Sequence, residues 1–118
     1  MELRTRHYND IAIFSVNGRL DGATADDFLQ AVQNQVDEGF GRLVIDLKKV
    51  EFLSSAGIKA LIQTVQLSRR QGGDMRLANA RGRVKYILSL AGVDSIIKVY
   101  PNVVSATASY FPGPLPSA

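Results

Sequence analysis

The sequence predicts a single-domain α/β fold, in which a mixed β-sheet of about four or five strands packs against about four helices. Short apolar runs rich in β-branched residues alternate with longer segments of helical periodicity, and turn-forming residues separate the two kinds of segment. Strands that alternate with helices pair largely in parallel. The 118 residues, of which 46% are hydrophobic, are enough for one core, and the domain is expected to span residues 1–111.

Residues 1–20 predict two strands. Polar and apolar side chains alternate over Glu2–His7, which is typical of a half-exposed edge strand. Ile11–Val16 is almost continuously apolar and suits a strand that is covered on both faces. Asn17 and Gly18 are turn formers, so the second strand is expected to end before them.

Residues 24–39 predict the first helix. Its apolar stripe recurs at intervals of three and four residues and consists of Ala25, Phe28, Leu29, Val32 and Val36. Thr24 is a suitable N-cap, and Asp26 and Asp27 follow where the helix dipole favours negative charge. Gly39 is placed to end this helix.

The later elements continue the alternation of strands and helices. They are a strand at Arg42–Leu47, a helix from Ile58 to Arg70, a strand at Met75–Ala78, a helix from Val84 to Ala91, a strand at Ile96–Val99, and a last helix from Pro101 to about Phe111. The side chains that carry these periodicities are expected to be largely buried: Phe28, Leu29, Val32, Val44, Ile45, Ile58, Leu61, Ile62, Val65, Leu77, Ile87 and Leu88.

The C-terminal residues 112–118 read Pro-Gly-Pro-Leu-Pro-Ser-Ala. So proline-rich a segment offers little apolar surface to bury, and it predicts a flexible tail. Its removal is expected to leave the melting temperature nearly unchanged.

The composition argues against several classes of chemistry. Cysteine is absent and His7 is the single histidine, so disulfides, thiolate chemistry, a metal site and a cofactor are not expected. The net charge of +3 is only mildly basic, and the cations lack interleaved aromatic residues, which argues against direct nucleic-acid binding. No apolar run approaches the roughly 20 residues of a membrane span, and the N-terminus does not resemble a signal peptide. A cytoplasmic location without membrane contact is expected.

The residues that could catalyse a reaction are scattered along the chain. His7 lies on the predicted edge strand, where a solvent-facing side chain is expected. Asp21, Asp46 and Glu51 fall in three different segments, and Asp46 near the end of a buried strand is more typical of a loop cap. No glycine-rich phosphate loop occurs. The chain is therefore not expected to be an enzyme.

The segment Phe52-Leu53-Ser54-Ser55-Ala56-Gly57-Ile58 joins a strand to the second long helix. Serine is a preferred N-cap, which accounts for one of the two hydroxyls. Because alanine and glycine follow the second serine, the first turn carries only small side chains. The free backbone N–H groups and the positive end of the helix dipole are then open to a phosphate or to a partner surface.

With Gly18-Arg19-Leu20-Asp21 upstream and Asp46-Leu47 before it, this segment resembles the STAS family of anti-sigma factor antagonists. The order and spacing of these short motifs match that family from about residue 3 to residue 110. The resemblance implies a mixed sheet packed against helices, with a switch loop at one end. It also implies partner switching: the unphosphorylated antagonist binds an anti-sigma factor that is a serine kinase with an ATPase-like fold. Phosphorylation of a serine at the start of the second helix ends that binding, and a metal-dependent serine phosphatase restores it.

Many members of the family carry the phosphate acceptor immediately before the glycine, where this sequence has Ala56. Other members share Ser-Ser-Ala-Gly, so the resemblance implies Ser55 as the acceptor and Ser54 as the second choice. It implies a partner-binding surface made of Asp21, Gly22, Ser54, Ser55, Ala56, Gly57, Ile58 and Lys59. A monomer or weak dimer is expected. The alternative is a non-switching STAS scaffold or an accessory subunit of a larger complex, which Ala56 favours.

Overall fold

A computed structural model of the chain describes residues 1–111, and it contains one five-stranded mixed sheet. The strands lie in chain order, with β1 antiparallel to β2 and every later pair parallel. The elements are β1 (Glu2–Tyr8), β2 (Ile11–Leu20), α1 (Ala25–Asp37), β3 (Arg42–Leu53), α2 (Ser55–Arg70), β4 (Asp74–Ala78), α3 (Gly82–Leu90), a 3₁₀ turn (Val93–Ser95), β5 (Lys98–Tyr100) and α4 (Val103–Ala108). The predicted α/β class and element count are confirmed. The predicted tail at 112–118 lies outside the described residues.

The helices cover the two faces of the sheet unequally. α1, α2 and α3 share one large core with the inner strands, in which Phe14, Phe28 and Leu61 are fully buried. The opposite face carries a smaller cluster built around α4 and Tyr110. The Tyr110 hydroxyl donates a hydrogen bond to the Leu43 carbonyl at 2.8 Å, which ties the end of α4 to the middle of the sheet. In residues 1–111, no helix is both long and apolar enough to cross a bilayer.

Strands β2 and β3 are longer than the sequence predicts. β2 was expected to end before Asn17, but it continues to Leu20 through a bulge at Gly18, whose φ is +104°. β3 was expected to end at Leu47 and runs on to Leu53, paired with the extension of β2. Hydrogen bonding between the two strands overrides the turn formers and the charged residues that interrupt the apolar pattern.

The last two elements begin later than predicted. β5 occupies Lys98–Tyr100 because a 3₁₀ turn takes up Val93–Ser95. Pro101 does not open the last helix. Asn102 caps α4 instead, since its side-chain oxygen accepts a hydrogen bond from the Ser105 N–H at 2.8 Å.

Four predicted core residues are only half buried: Leu29, Ile58, Ile62 and Ile87. The other eight are buried as expected. On α2 the buried stripe includes Gly57, Thr64 and Ser68 as well as the apolar residues, so it lies to one side of the predicted stripe. The two hydroxyls can be buried because each donates to a carbonyl three residues earlier in the helix.

Candidate functional site

The loops that follow β2 and β3 meet at one edge of the sheet. The two strands pair in parallel to their last residues, where Leu20 lies opposite Leu53. The Ser54 N–H donates to the Leu20 carbonyl at 3.1 Å, which joins the start of α2 to the end of β2. The carboxyl edge of a parallel sheet is where such folds usually bind their ligands, and the predicted switch loop lies there.

The β2–α1 loop is folded around Asp21 and Thr24. The Asp21 carbonyl accepts the N–H of Ala25 at 2.8 Å, and its carboxylate accepts the N–H of Ala23 at 3.0 Å. Thr24 stands at the predicted N-cap position of α1, but its hydroxyl makes no capping bond. That hydroxyl donates to the Arg19 carbonyl at 2.9 Å and accepts the Asp21 N–H at 3.0 Å. Thr24 therefore stabilises the β2–α1 turn and does not cap the helix.

Arg19, near the end of β2, contacts both the β2–α1 loop and the end of β3. Its guanidinium donates to the Asp21 carboxylate at 3.1 Å and lies 4.2 Å from the centre of the Phe52 ring. The hydrogen bond from Arg19 is the largest influence on the pKa of Asp21, which lies below its ordinary value of 3.8. Asp21 is therefore ionised at neutral pH and paired with Arg19 beside the predicted switch loop.

The first turn of α2 is held by a cap and a close backbone approach. The Ser54 hydroxyl accepts the Gly57 N–H at 3.3 Å, and the Ser54 carbonyl accepts the Ile58 N–H at 2.9 Å. A Cβ added at Gly57 would lie 2.2 Å from the Leu20 carbonyl oxygen. Gly57 is therefore buried for packing, and only a residue without a side chain fits there.

The other predicted partner-binding residues lie at the surface of this edge to different degrees. Ser55 and Lys59 are exposed, whereas Ser54, Ala56 and Ile58 are half buried. Gly22 is exposed across from Ala56, since a Cβ built on Gly22 would lie 3.9 Å from the Ala56 methyl carbon. The structure thus brings residues of both loops together at this edge of the sheet.

The two candidate acceptor hydroxyls have different surroundings. The Ser54 hydroxyl is half buried and engaged in the cap. The Ser55 side chain is exposed at the first position of α2, and within residues 1–111 its hydroxyl makes no hydrogen bond to the protein. Ser55 is the hydroxyl that an incoming enzyme can reach without breaking a cap.

Two structural features near this edge have no clear signal in the sequence. One is the stacking of Arg19 on Phe52, which depends on a strand extension that the pattern did not predict. The other is Asn79, which is buried with a left-handed φ of +61° and donates to the Asp46 carboxylate at 3.0 Å. Asp46 was predicted to cap a loop but lies inside β3, where its carboxylate also accepts the Lys48 N–H at 3.0 Å. Within the described residues, no group of three His, Cys, Asp or Glu side chains could hold a metal.

Known proteins resemble this chain over nearly its whole length. A family model for the STAS domain matches residues 2–106. The chain is 33% identical over 101 residues to the anti-sigma-F factor antagonist RsfB of Mycobacterium tuberculosis, covering 84% of this chain and 80% of RsfB. It is 27% identical over 111 residues to the anti-sigma F factor antagonist of Paenibacillus polymyxa, covering 90% and 92% of the two chains. A crystal structure of an anti-sigma factor antagonist from Mycobacterium paratuberculosis superimposes with a TM-score of 0.82 at 30% identity, covering 92% of each chain.

Proposed function

We propose that this chain, which belongs to the STAS domain family and within it to the anti-sigma factor antagonists, binds an anti-sigma factor through the edge where the β2–α1 and β3–α2 loops meet. The expected partner is a serine kinase with an ATPase-like fold, and the unphosphorylated chain is the binding form. Phosphorylation of Ser55 ends the binding, and a metal-dependent serine phosphatase reverses it. The chain itself then acts by binding and not by catalysis.

The observation that carries this proposal is the difference between Ser54 and Ser55. Ser55 is exposed and its hydroxyl makes no hydrogen bond within residues 1–111, whereas Ser54 caps α2. A kinase that modified Ser54 would have to rearrange the hydroxyl that caps α2, a contact whose truncation to alanine costs about 1 kcal/mol. Ser55 can accept a phosphate while every described contact of the first turn stays intact.

Phosphorylation of Ser55 is expected to act at the surface rather than by unfolding α2. The first turn of α2 contains no acidic residue, so a phosphate there meets the positive end of the helix dipole without a carboxylate in the same turn. The modification adds roughly −1.5 to −2 charges at neutral pH. A partner that packs closely against Ala56 and Gly22 would have to bury this dianion unpaired, which is costly.

The test pairs phosphorylation with binding. The chain and its Ser55→Ala and Ser54→Ala variants are incubated with the purified cognate anti-sigma factor and ATP, and the modified residue is identified by mass spectrometry. We expect phosphate on Ser55 in the wild type and in Ser54→Ala, and none in Ser55→Ala. Calorimetry without ATP should show that Ser55→Ala binds like the wild type, whereas Ser55→Asp binds at least about tenfold more weakly.

Melting curves of the same proteins separate the surface mechanism from unfolding. If the phosphorylated chain loses binding and α2 also unfolds, the surface mechanism is wrong. Phosphate on Ser54 with Ser55 untouched would refute the choice of acceptor. Tight binding to a partner without any phosphate transfer would favour the second candidate, a non-switching scaffold, for which the alanine before Gly57 is the supporting observation.

A further inference from the structure

The outer side of α3 exposes two large apolar side chains that the fold does not use. Tyr86 is 66% exposed and Leu90 is 73% exposed. They lie four residues apart on one stripe of the helix, on the side away from the buried Val84 and Leu88. A nine-residue helix that is apolar on both sides is typical of a helix with a second packing partner.

The same helix begins with cations where its dipole disfavours them. Arg81 stands at the N-cap without a capping hydrogen bond from its side chain, and the first turn contains no acidic residue. Arg83 and Lys85 follow, and both are exposed. A positive charge near a helix N-terminus lies at the positive end of the dipole, where it weakens the helix. The stability of α3 therefore does not explain these residues.

The cations of α3 also lack carboxylate partners in residues 1–111. Arg81 donates to the amide oxygen of Asn79, and no ion pair involves Arg83 or Lys85. Residues 81–98 contain four cations and a single carboxylate, Asp94, so their net charge of +3 equals that of the whole chain. The rest of the chain is neutral on balance, and three of the four cations lie at the start of α3.

We propose that the surface formed by Arg81, Arg83, Lys85, Tyr86 and Leu90, called the α3 face, is a docking site for an acidic protein segment that carries an apolar anchor. The anchor packs on Tyr86 and Leu90, and the carboxylates of the segment pair with the surrounding cations. Tyrosine and arginine are the residue types that dominate protein interfaces, and complementary charge fixes orientation and speeds association.

A protein fits this surface better than a lipid bilayer does. Membrane-surface helices need a long apolar face that inserts into the headgroup region. α3 has nine residues, about 13 Å of helix, and offers only two exposed apolar side chains. The α3 face is built from residues other than those of the switch loop, so the chain could hold an acidic protein there while Ser55 changes state.

Site-specific photocross-linking in the native host tests the α3 face. A benzophenone amino acid replaces Tyr86 in one strain and Val104 in a control strain. Val104 is 78% exposed on α4, on the opposite side of the sheet. We expect a cross-link from position 86, absent from position 104, to a peptide rich in Asp and Glu. Its yield should fall about tenfold or more when Arg83→Glu and Lys85→Glu are combined, and also when the cross-linking is repeated in host lysate at about 0.5 M salt.

The controls keep the result independent of the proposed switch and of folding. The Arg83→Glu, Lys85→Glu protein should melt no lower than the wild type, so a lost cross-link cannot be ascribed to unfolding. The Ser55→Ala variant should cross-link normally, whether or not the chain is an antagonist of an anti-sigma factor. If position 86 gives no cross-link, the α3 face is not a docking site for an acidic segment. The same holds if the cross-link yield does not change when the two charges are reversed. Charge-dependent binding to phosphatidylglycerol vesicles, without a protein cross-link, would assign the surface to a membrane instead.

Discussion

Helices α2 and α3 both begin at the carboxyl end of a parallel strand and pack on the same face of the sheet, yet their first turns differ. In α2, Ser54 caps the helix and Gly57 packs directly on the backbone of β2. In α3, the N-cap is an arginine without a capping bond and cations follow it.

The comparison separates two uses of a helix N-terminus. In α2 the cap and the close approach hold an exposed serine in a fixed place, which suits a switch that must be modified without unfolding. In α3 the charges oppose the dipole and the outer side is apolar, which suits contact with another molecule more than it suits stability.

The largest difference is expected between two leucines, the inward Leu61 of α2 and the outward Leu90 of α3. Leu61 is fully buried and Leu90 is 73% exposed. Leu61→Ala should lower the free energy of unfolding by about 2–5 kcal/mol through lost burial and a cavity. Leu90→Ala should change it by less than about 0.5 kcal/mol. Urea unfolding followed by circular dichroism measures both, and equal losses would mean that Leu90 has a packing partner in the isolated chain.

Two glycines in the first turns provide the next contrast. Gly57→Ala places a methyl group 2.2 Å from the Leu20 carbonyl oxygen and should lower the free energy of unfolding by about 3 kcal/mol. Gly82 has a φ of +51° with nothing within 4 Å of an added Cβ, so Gly82→Ala should cost about 1 kcal/mol of backbone strain. Thermal unfolding of both variants checks the order, and a larger loss at Gly82 would contradict the close approach of α2 and β2.

The cap of α2 should contribute less to the free energy of unfolding than the close packing of Gly57 on β2. Ser54→Ala removes the acceptor of the Gly57 N–H and should lower the free energy of unfolding by about 1 kcal/mol. Ser55→Ala is the matched control, because its hydroxyl has no such role, and it should stay within about 0.5 kcal/mol of the wild type. The two variants are compared by denaturant unfolding. A larger effect for Ser55→Ala would reverse the assignment of the cap.

Charge reversal at α3 should stabilise the chain. Arg83→Glu puts a negative charge in the first turn, where the dipole favours it, and should raise the free energy of unfolding by about 0.3–1 kcal/mol. Arg70→Glu is the comparison, since Arg70 lies in the last turn of α2 and the same change there should have the opposite sign. Melting temperatures at low salt report both. A loss of stability in Arg83→Glu would mean that the arginine already has a partner in the isolated chain.

The smallest effect concerns the pH dependence of stability at the edge where the β2–α1 and β3–α2 loops meet. Because Arg19 lowers the pKa of Asp21, the stability that this carboxylate contributes is present above pH 3.8 and is lost as the pH falls through its lower folded value. Arg19→Gln should raise the pKa of Asp21 towards 3.8 and weaken this acid dependence. An NMR titration of the carboxyl carbons measures it, with Arg69→Gln as a control that should leave Asp21 unchanged.

Much of the fold follows from patterns that are local in the sequence. The stripe of Phe28, Val32 and Val36 predicts the buried side of α1, and the structure confirms it. The serine pair at 54–55 predicts a cap for α2, which Ser54 supplies, but the apolar periodicity predicts a start at Ile58, three residues after the helix begins at Ser55. The order of strands and helices is equally local, because each element has a characteristic periodicity that does not depend on its neighbours in space.

The sequence by itself thus determined the α/β class, the order of elements, most of the core and the segment that is proposed as the switch loop. The tertiary structure alone decided how far β2 and β3 extend and which groups the Thr24 hydroxyl binds. It also decided that only glycine fits at position 57. Each of these depends on a contact between segments distant in the chain, such as the approach of Gly57 to the carbonyl of Leu20. Periodicity and propensity describe one segment at a time, so contacts of this kind leave no pattern for them to detect.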